Sequence, residues 1–105
     1  MTAFLPSRLA RLPRADGFPG LDVRRADTFA ARLLGLALLR AIPPDAGLLL
    51  PRTRTVHTCG MRFPLELRWL DARGRVIRVD RHVPPGRLRA CRRAAAVLEL
   101  SSGRR

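Results

Sequence analysis

The chain has 105 residues, a length at which one domain buries enough apolar surface to fold without metals or disulfides. Apolar residues make up 47% and charged residues 28% of the sequence, a composition that excludes an intrinsically disordered chain. The 21 Lys+Arg residues, all of them Arg, outnumber the 8 Asp+Glu residues and give a formal net charge of +13. A partner that carries negative charge is therefore the first class of ligand to consider.

The N-terminal residues 1–20 hold three prolines and two glycines among scattered arginines, which predicts an irregular arm ahead of a single domain over residues 21–103. A short edge strand is predicted at 21–24. The arginines interrupt any apolar segment that a secretory signal would need, and the longest apolar run, residues 33–39, is too short to span a bilayer. We therefore expect a cytoplasmic protein whose two cysteines stay reduced.

A helix is predicted over residues 29–40, with Asp27 or Thr28 as its N-cap. The segment is apolar on most sides, so we expect it to pack into the body of the domain. A membrane-surface helix is the alternative, and the lack of a broad polar face disfavours it. Pro43 and Pro44 are expected to end the helix.

The clearest strand signal is the alternation of apolar and other residues over 61–69, within a predicted strand at 61–70. It predicts an amphipathic strand with one buried and one solvated face, bent at Pro64. Asp71 and Gly74 then predict a tight turn into a returning strand at 76–79. Further strands are predicted at 47–50 and 97–100, and residues 52–55 are expected near a sheet edge. Together these elements predict a mainly β domain.

Six segments of the chain resemble, in their order and spacing, the bacterial and archaeal family named domain of unknown function 192. They are residues 26–28 (Ala-Asp-Thr), 32–36 (Arg-Leu-Leu-Gly-Leu), 47–49 (Gly-Leu-Leu), 57–66 (His-Thr-Cys-Gly-Met-Arg-Phe-Pro-Leu-Glu), 70–76 (Leu-Asp-Ala-Arg-Gly-Arg-Val) and 97–100 (Val-Leu-Glu-Leu). The resemblance implies a compact antiparallel β-barrel or sandwich-like domain with one or two short helices and no established activity. Glu66 departs from the family pattern, which usually has Asp there.

The segment before the predicted strand holds the residues best suited to bind a ligand. His57 and Cys59 are two residues apart, which on an extended strand puts both side chains on one face. Such a pair is compatible with a cysteine nucleophile or half of a zinc site, which His82 and Cys91 would have to complete. A small buried thiol beside a loop histidine is the favoured alternative. The candidate ligand-binding residues are His57, Thr58, Cys59, Gly60, Met61, Glu66 and Asp71.

The arginines define a second candidate site. Guanidinium groups form bidentate hydrogen bonds with phosphate, so nucleic acid or another anion is a candidate partner. A coding bias toward arginine explains the same composition without a function, and the few aromatic residues disfavour stacking on single strands. The candidate phosphate contacts are Arg52, Arg54, Arg87, Arg89, Arg92 and Arg93.

The favoured function from the sequence is a small, non-enzymatic binding or accessory domain, with a protein partner or an anionic ligand. An arginine-rich nucleic-acid binder is the first alternative, and a metal or thiol site at His57 and Cys59 is the second. No cofactor, metal or catalytic set is predicted, because the sequence lacks glycine-rich phosphate loops, nucleophile elbows and zinc-ribbon spacings.

Overall fold

A computed structural model describes residues 5–103 of the protein. Its helices are α1 (Ser7–Ala10) and α2 (Phe29–Leu34). Its strands are β1 (Arg14–Ala15), β2 (Asp22–Arg25), β3 (Ala46–Pro51), β4 (Thr55–His57), β5 (Leu65–Leu70), β6 (Val76–Val83), β7 (Leu88–Ala90) and β8 (Ala96–Ser101). The prediction of a mainly β domain with one or two short helices is confirmed.

Six strands form one sheet in the order β1-β2-β3-β8-β5-β6, and β4 pairs with β7 in a separate two-stranded sheet. The β2–β3 pair is parallel, so the predicted antiparallel sheet is mixed at this position. The other neighbouring strands pair in antiparallel fashion. Within residues 5–103, β1 and β6 do not pair with each other, so the sheet stays open and does not close into a barrel.

The large sheet buries side chains on both faces. On one face, alternate residues of β3, β8 and β5, including Leu48, Val97 and Trp69, pack under α1, the segment after α2, and β4. On the other face, Leu98 and Leu100 pack with residues of the N-terminal segment. Strand β8 is therefore covered on both sides, which is why its sequence is nearly continuously apolar.

The predicted strand at 61–70 is only half correct, because β5 begins at Leu65. Gly60 has a φ of +80° and lies in a turn, in which the Met61 N–H donates to the Thr58 carbonyl at 3.2 Å. Met61 enters the core from this irregular segment. The predicted solvated face is also wrong, because Glu66 is buried and residues 17–21 lie against that face of the sheet. The predicted turn at 71–74 is confirmed, with the Gly74 N–H donating to the Asp71 carbonyl.

Helix α2 is much shorter than the predicted 29–40. Thr28 is confirmed as its N-cap, since its hydroxyl accepts a hydrogen bond from the Ala31 N–H at 3.0 Å. The helix stops at Gly35, whose φ of +50° is accessible to glycine and strained for other residues. The Arg8 guanidinium then donates to the carbonyls of Gly35 and Ala37, at 3.0 and 2.8 Å. The helix therefore ends well before the prolines expected to stop it.

Residues 1–4 of the predicted N-terminal arm lie outside the described residues. Residues 5–20 contain α1 and β1, and Leu9 of α1 is buried in the main core. Strand β1 pairs with β2, so the strand predicted near 21–24 lies one place inside the sheet edge. Among the described residues, no helix is long and apolar enough to cross a membrane.

Candidate functional site

A cavity of about 210 Å³ lies between α2, β4 and the main face of the large sheet. Four of its lining side chains are apolar: Leu34, Leu50, Val56 and Met61. Five others carry polar or charged groups: Arg32, Thr53, Thr55, His57 and Glu99. The backbone of Gly35 completes the lining.

Glu99 forms the most buried part of this lining. It lies on β8 between Leu48 of β3 and Leu67 of β5, and only 1% of it is exposed. Its Oε1 atom has no hydrogen-bond partner among the described residues. Burial raises the pKa of the Glu99 carboxyl to about 8, because removal from water disfavours the charged form. At pH 7 this carboxyl is therefore mostly protonated.

Gly35 brings backbone against the Glu99 carboxyl. A β-carbon at this position would lie 3.3 Å from Oε1 and 3.8 Å from the Met61 methyl. The turn that carries Gly35 is held from two sides, by Arg8 and by a 2.8 Å hydrogen bond from the Leu38 N–H to the Gly60 carbonyl. The missing side chain of Gly35 thus shapes the inner end of the cavity.

Two basic side chains lie nearer to the mouth. Arg32 of α2 is half-buried, and its Nη1 donates to the Asp27 carbonyl at 3.2 Å. His57 ends β4 and is exposed. The lining therefore combines a buried acid with two more exposed basic side chains and four apolar ones.

Of the predicted ligand-binding residues, the structure brings His57 and Met61 to this cavity. Thr58 is fully buried, and its hydroxyl bonds to the Pro84 carbonyl at 2.7 Å and to the Arg87 N–H at 2.8 Å, so it joins two loops. Cys59 is an exposed free thiol in the turn with Gly60. The extended geometry expected for residues 57–59 is wrong, because β4 ends at His57.

Glu66 and Asp71 lie elsewhere. Glu66 faces the opposite side of the sheet and pairs with Arg68 at 2.7 Å. Asp71 holds the β5–β6 turn, where its Oδ1 accepts hydrogen bonds of 2.9 Å from the N–H groups of Arg73 and Arg75. The bond from Arg75 is the main cause that lowers the pKa of Asp71. Both acids therefore have structural partners.

Within residues 5–103, no three His, Cys, Asp or Glu side chains come together as a metal site would need. The Nδ1 atom of His82 lies 2.8 Å from the Ser102 hydroxyl. Cys91 lines a different groove, between β6 and the segment after β7. The structure thus separates the residues that a zinc site would have had to combine.

The candidate phosphate contacts lie along β4, β7 and their connections to the large sheet. The Cys91 N–H donates to the Arg54 carbonyl at 2.8 Å, and Pro51 pairs with Ala96, which brings the connecting segments side by side. We call this group the arginine surface: Arg52, Arg54, Arg87, Arg89, Arg92 and Arg93. In the part of the chain that the structure describes, none of the six forms an ion pair.

The sequence profile of the domain of unknown function 192 family (DUF192), described as uncharacterised ACR, matches residues 12–105. The chain belongs to the DUF192 family. No curated protein matches it significantly. The resemblance found in the sequence is therefore confirmed.

Two crystal structures share this DUF192 fold. One is a protein of unknown function from Novosphingobium aromaticivorans DSM 12444, with a TM-score of 0.72 and 20% identity over 79% of this chain. The other, from Sinorhizobium meliloti 1021, is described as a proposed transcription regulator and has a TM-score of 0.72 and 28% identity over 79% of this chain. This chain spans 64% of the first protein and 70% of the second.

The cavity joins segments that are distant in the DUF192 sequence. Three of the six segments that carry the family resemblance, residues 32–36, 57–66 and 97–100, contribute to its lining. Sequence reasoning missed Glu99, Arg32 and Gly35 as site residues. The available signal was a single acid within an otherwise apolar strand, since a carboxyl at such a position is buried and needs a partner.

Proposed function

We propose that this DUF192 domain is a non-enzymatic binding domain that holds a small ligand in the cavity around Glu99. The observation that supports this is the unpartnered Oε1 of a carboxyl that is 1% exposed and lines the cavity. A buried polar group without a hydrogen bond costs about 1–3 kcal/mol, which a ligand that donates to Oε1 would offset. The lining combines four apolar side chains with five polar or charged ones, and convergent polar groups beside apolar surface are typical of ligand recognition.

A fragment screen by NMR tests this proposal. A panel of small amines, amides, alcohols and carboxylates is titrated into isotope-labelled full chain, and the amide signals of Gly35 and Met61 report on the cavity. We expect at least one saturable binder whose affinity falls at least tenfold in Glu99→Gln. Glu66→Gln, the matched change of a buried glutamate on the opposite face, is expected to bind normally.

Absence of saturable binding across the panel would refute the proposal. Binding that leaves the amide signals of Gly35 and Met61 unchanged would refute the role of the cavity. Melting temperatures of both variants establish that each is folded at the temperature of the titration.

A second candidate function is nucleic-acid binding by the arginine surface. It is supported by six arginines without ion pairs in the described residues and by a net charge of +13. The description of the Sinorhizobium protein as a proposed transcription regulator adds to this support. Arginines that contact phosphates release counterions, so affinity should fall steeply with salt.

Oligonucleotide binding measured between 50 and 200 mM salt tests this second function. We expect the double variant Arg92→Gln/Arg93→Gln to bind more weakly and to reduce the salt slope by about two. The control is Arg14→Gln/Arg25→Gln, which removes equal charge from residues paired with Asp22 and Asp27. An equal loss of affinity in both double variants would mean that net charge alone drives binding. It would refute specific binding of nucleic acid by the arginine surface.

A further inference from the structure

The order of charges in the cavity points to a ligand class. We propose that the cavity binds a small zwitterion, an α-amino acid with a short aliphatic side chain, through Glu99 and Arg32. This inference rests on the proposed ligand-binding function and adds the chemistry of the occupant.

The polar groups of the lining differ in exposure. Glu99 is 1% exposed, whereas Arg32 is half-buried and His57 is exposed. A ligand whose ammonium group binds Glu99 has Arg32 of the same lining as the candidate partner of its carboxylate. Charge-assisted hydrogen bonds of ammonium with carboxylate, and of carboxylate with guanidinium, are the strong ones in proteins. Arg32 uses one N–H on the Asp27 carbonyl and has further donors for such a contact.

The size and the apolar lining restrict the rest of the ligand. The cavity volume of about 210 Å³ is below the range of about 300–1,000 Å³ that holds drug-sized ligands. Leu34, Leu50, Val56 and Met61 surround the space with aliphatic groups and one thioether. A short aliphatic side chain would remove this surface from water.

Binding of an ammonium group would change the protonation of Glu99. The charged or titratable side chains of the lining are Arg32 from α2 and His57 from β4, while the β3 and β5 neighbours of Glu99 are Leu48 and Leu67. Burial holds the pKa of Glu99 at about 8 in the free protein. A ligand ammonium beside this carboxyl favours its ionised form, so the zwitterion should bind with release of a proton near pH 7.

Three matched probes test the zwitterion. L-Norvaline carries both charges, n-butylamine lacks the carboxylate, and pentanoate lacks the ammonium group. In NMR titrations of the full chain at pH 7.5, we expect L-norvaline to bind at least tenfold more tightly than either of the other two. Glu99→Gln and Arg32→Gln should each weaken L-norvaline at least tenfold. Glu66→Gln and Arg68→Gln, which alter the ion pair on the opposite face, should leave its affinity unchanged.

The results separate this inference from the function on which it rests. If butylamine or pentanoate binds as tightly as L-norvaline, the proposal of a zwitterionic ligand is overturned, but the cavity remains a binding site. The same holds if none of the three binds while another member of the fragment panel does. If nothing in the panel binds, both proposals fail. Isothermal calorimetry in buffers of different ionisation enthalpy adds a second readout, in which we expect proton release, and proton uptake would also overturn the proposed pairing of the ammonium group with Glu99.

Discussion

Gly35 lies against the buried carboxyl of Glu99, with only 3.3 Å between Oε1 and the place a β-carbon would occupy. Replacement by alanine must therefore accommodate both a crowded contact and a φ of +50°. We expect Gly35→Ala to lower the free energy of unfolding by about 1–3 kcal/mol, as backbone strain of this kind does. Urea denaturation followed by circular dichroism measures the loss.

Gly74→Ala is the matched control, because Gly74 also has a positive φ but meets nothing within 4 Å. It isolates the backbone strain from the crowding at the carboxyl. If Gly35→Ala costs no more than Gly74→Ala, the close approach to Glu99 contributes nothing to stability.

The buried carboxyl also predicts an unusual dependence of stability on pH. Unfolded Glu99 ionises near its ordinary pKa of 4.5, whereas burial keeps the folded carboxyl protonated up to about pH 8. Between these values the folded state binds more protons, so this group lowers the free energy of unfolding by about 1.4 kcal/mol per pH unit as pH rises. The slope should disappear above about pH 8.

Glu99→Gln removes this titration and keeps a neutral group of similar shape. Urea unfolding is measured at pH 5, 6.5 and 8. The free energy of unfolding of the variant should rise relative to that of the wild type at each step. Parallel pH profiles for the two proteins would contradict the raised pKa of Glu99.

Asp22 and Asp71 act in the opposite direction, because Arg24 and the backbone of Arg75 lower their pKa values and their contribution to stability is lost in acid. We therefore expect the free energy of unfolding to fall in acid, where these two aspartates protonate, and to fall again as pH rises above 4.5, the ordinary pKa of Glu99.

Thr58 predicts a large effect from a single hydroxyl. The hydroxyl is buried and joins the Pro84 carbonyl to the Arg87 N–H. Thr58→Val keeps the volume but leaves both backbone groups without this partner, so we expect a loss of about 1–3 kcal/mol in unfolding free energy. Thr58→Ser retains the hydroxyl and should lose less. Equal losses would show that packing of the methyl group, rather than the hydrogen bonds, accounts for the effect.

Trp69 joins the core to β6 through its indole N–H, which donates to Asp80 Oδ2 at 3.0 Å. Trp69→Phe removes this bond and part of a fully buried ring, so we expect a loss of about 1–3 kcal/mol. Asp80→Asn keeps an acceptor for the indole and removes an ion pair with the exposed Arg78, so its effect should be small. Denaturation must be followed by circular dichroism, since Trp69 is the only tryptophan. A larger loss in Asp80→Asn than in Trp69→Phe would reverse this interpretation.

The parts of the fold that sequence predicted are those that local chemistry determines. Glycine at position 74 and the Asp71 side chain specify the β5–β6 turn, and Thr28 specifies the start of α2. The failures have long-range causes. Residues 61–64 alternate like a strand but are held in a turn by partners from other loops, and α2 ends early at Gly35, where Arg8 binds the free carbonyls.

The site was harder to predict for the same reason. His57 and Met61 were found because they precede a clear strand, whereas Glu99 lies about 40 residues further on and meets them only when β8 enters the sheet. Burial of its carboxyl depends on Leu48 and Leu67 of the flanking strands. Alternation within one segment carries no information about these contacts.

Strand β8 is the last of the described strands to leave the ribosome, yet it lies at the centre of the large sheet. Until residue 101 has emerged, β3 and β5 lack the neighbour that pairs with both of them. The growing chain thus presents two apolar strands with free edges, and such edges pair readily with other chains. Protection of the nascent protein from aggregation is therefore needed until the segment that carries Glu99 has emerged.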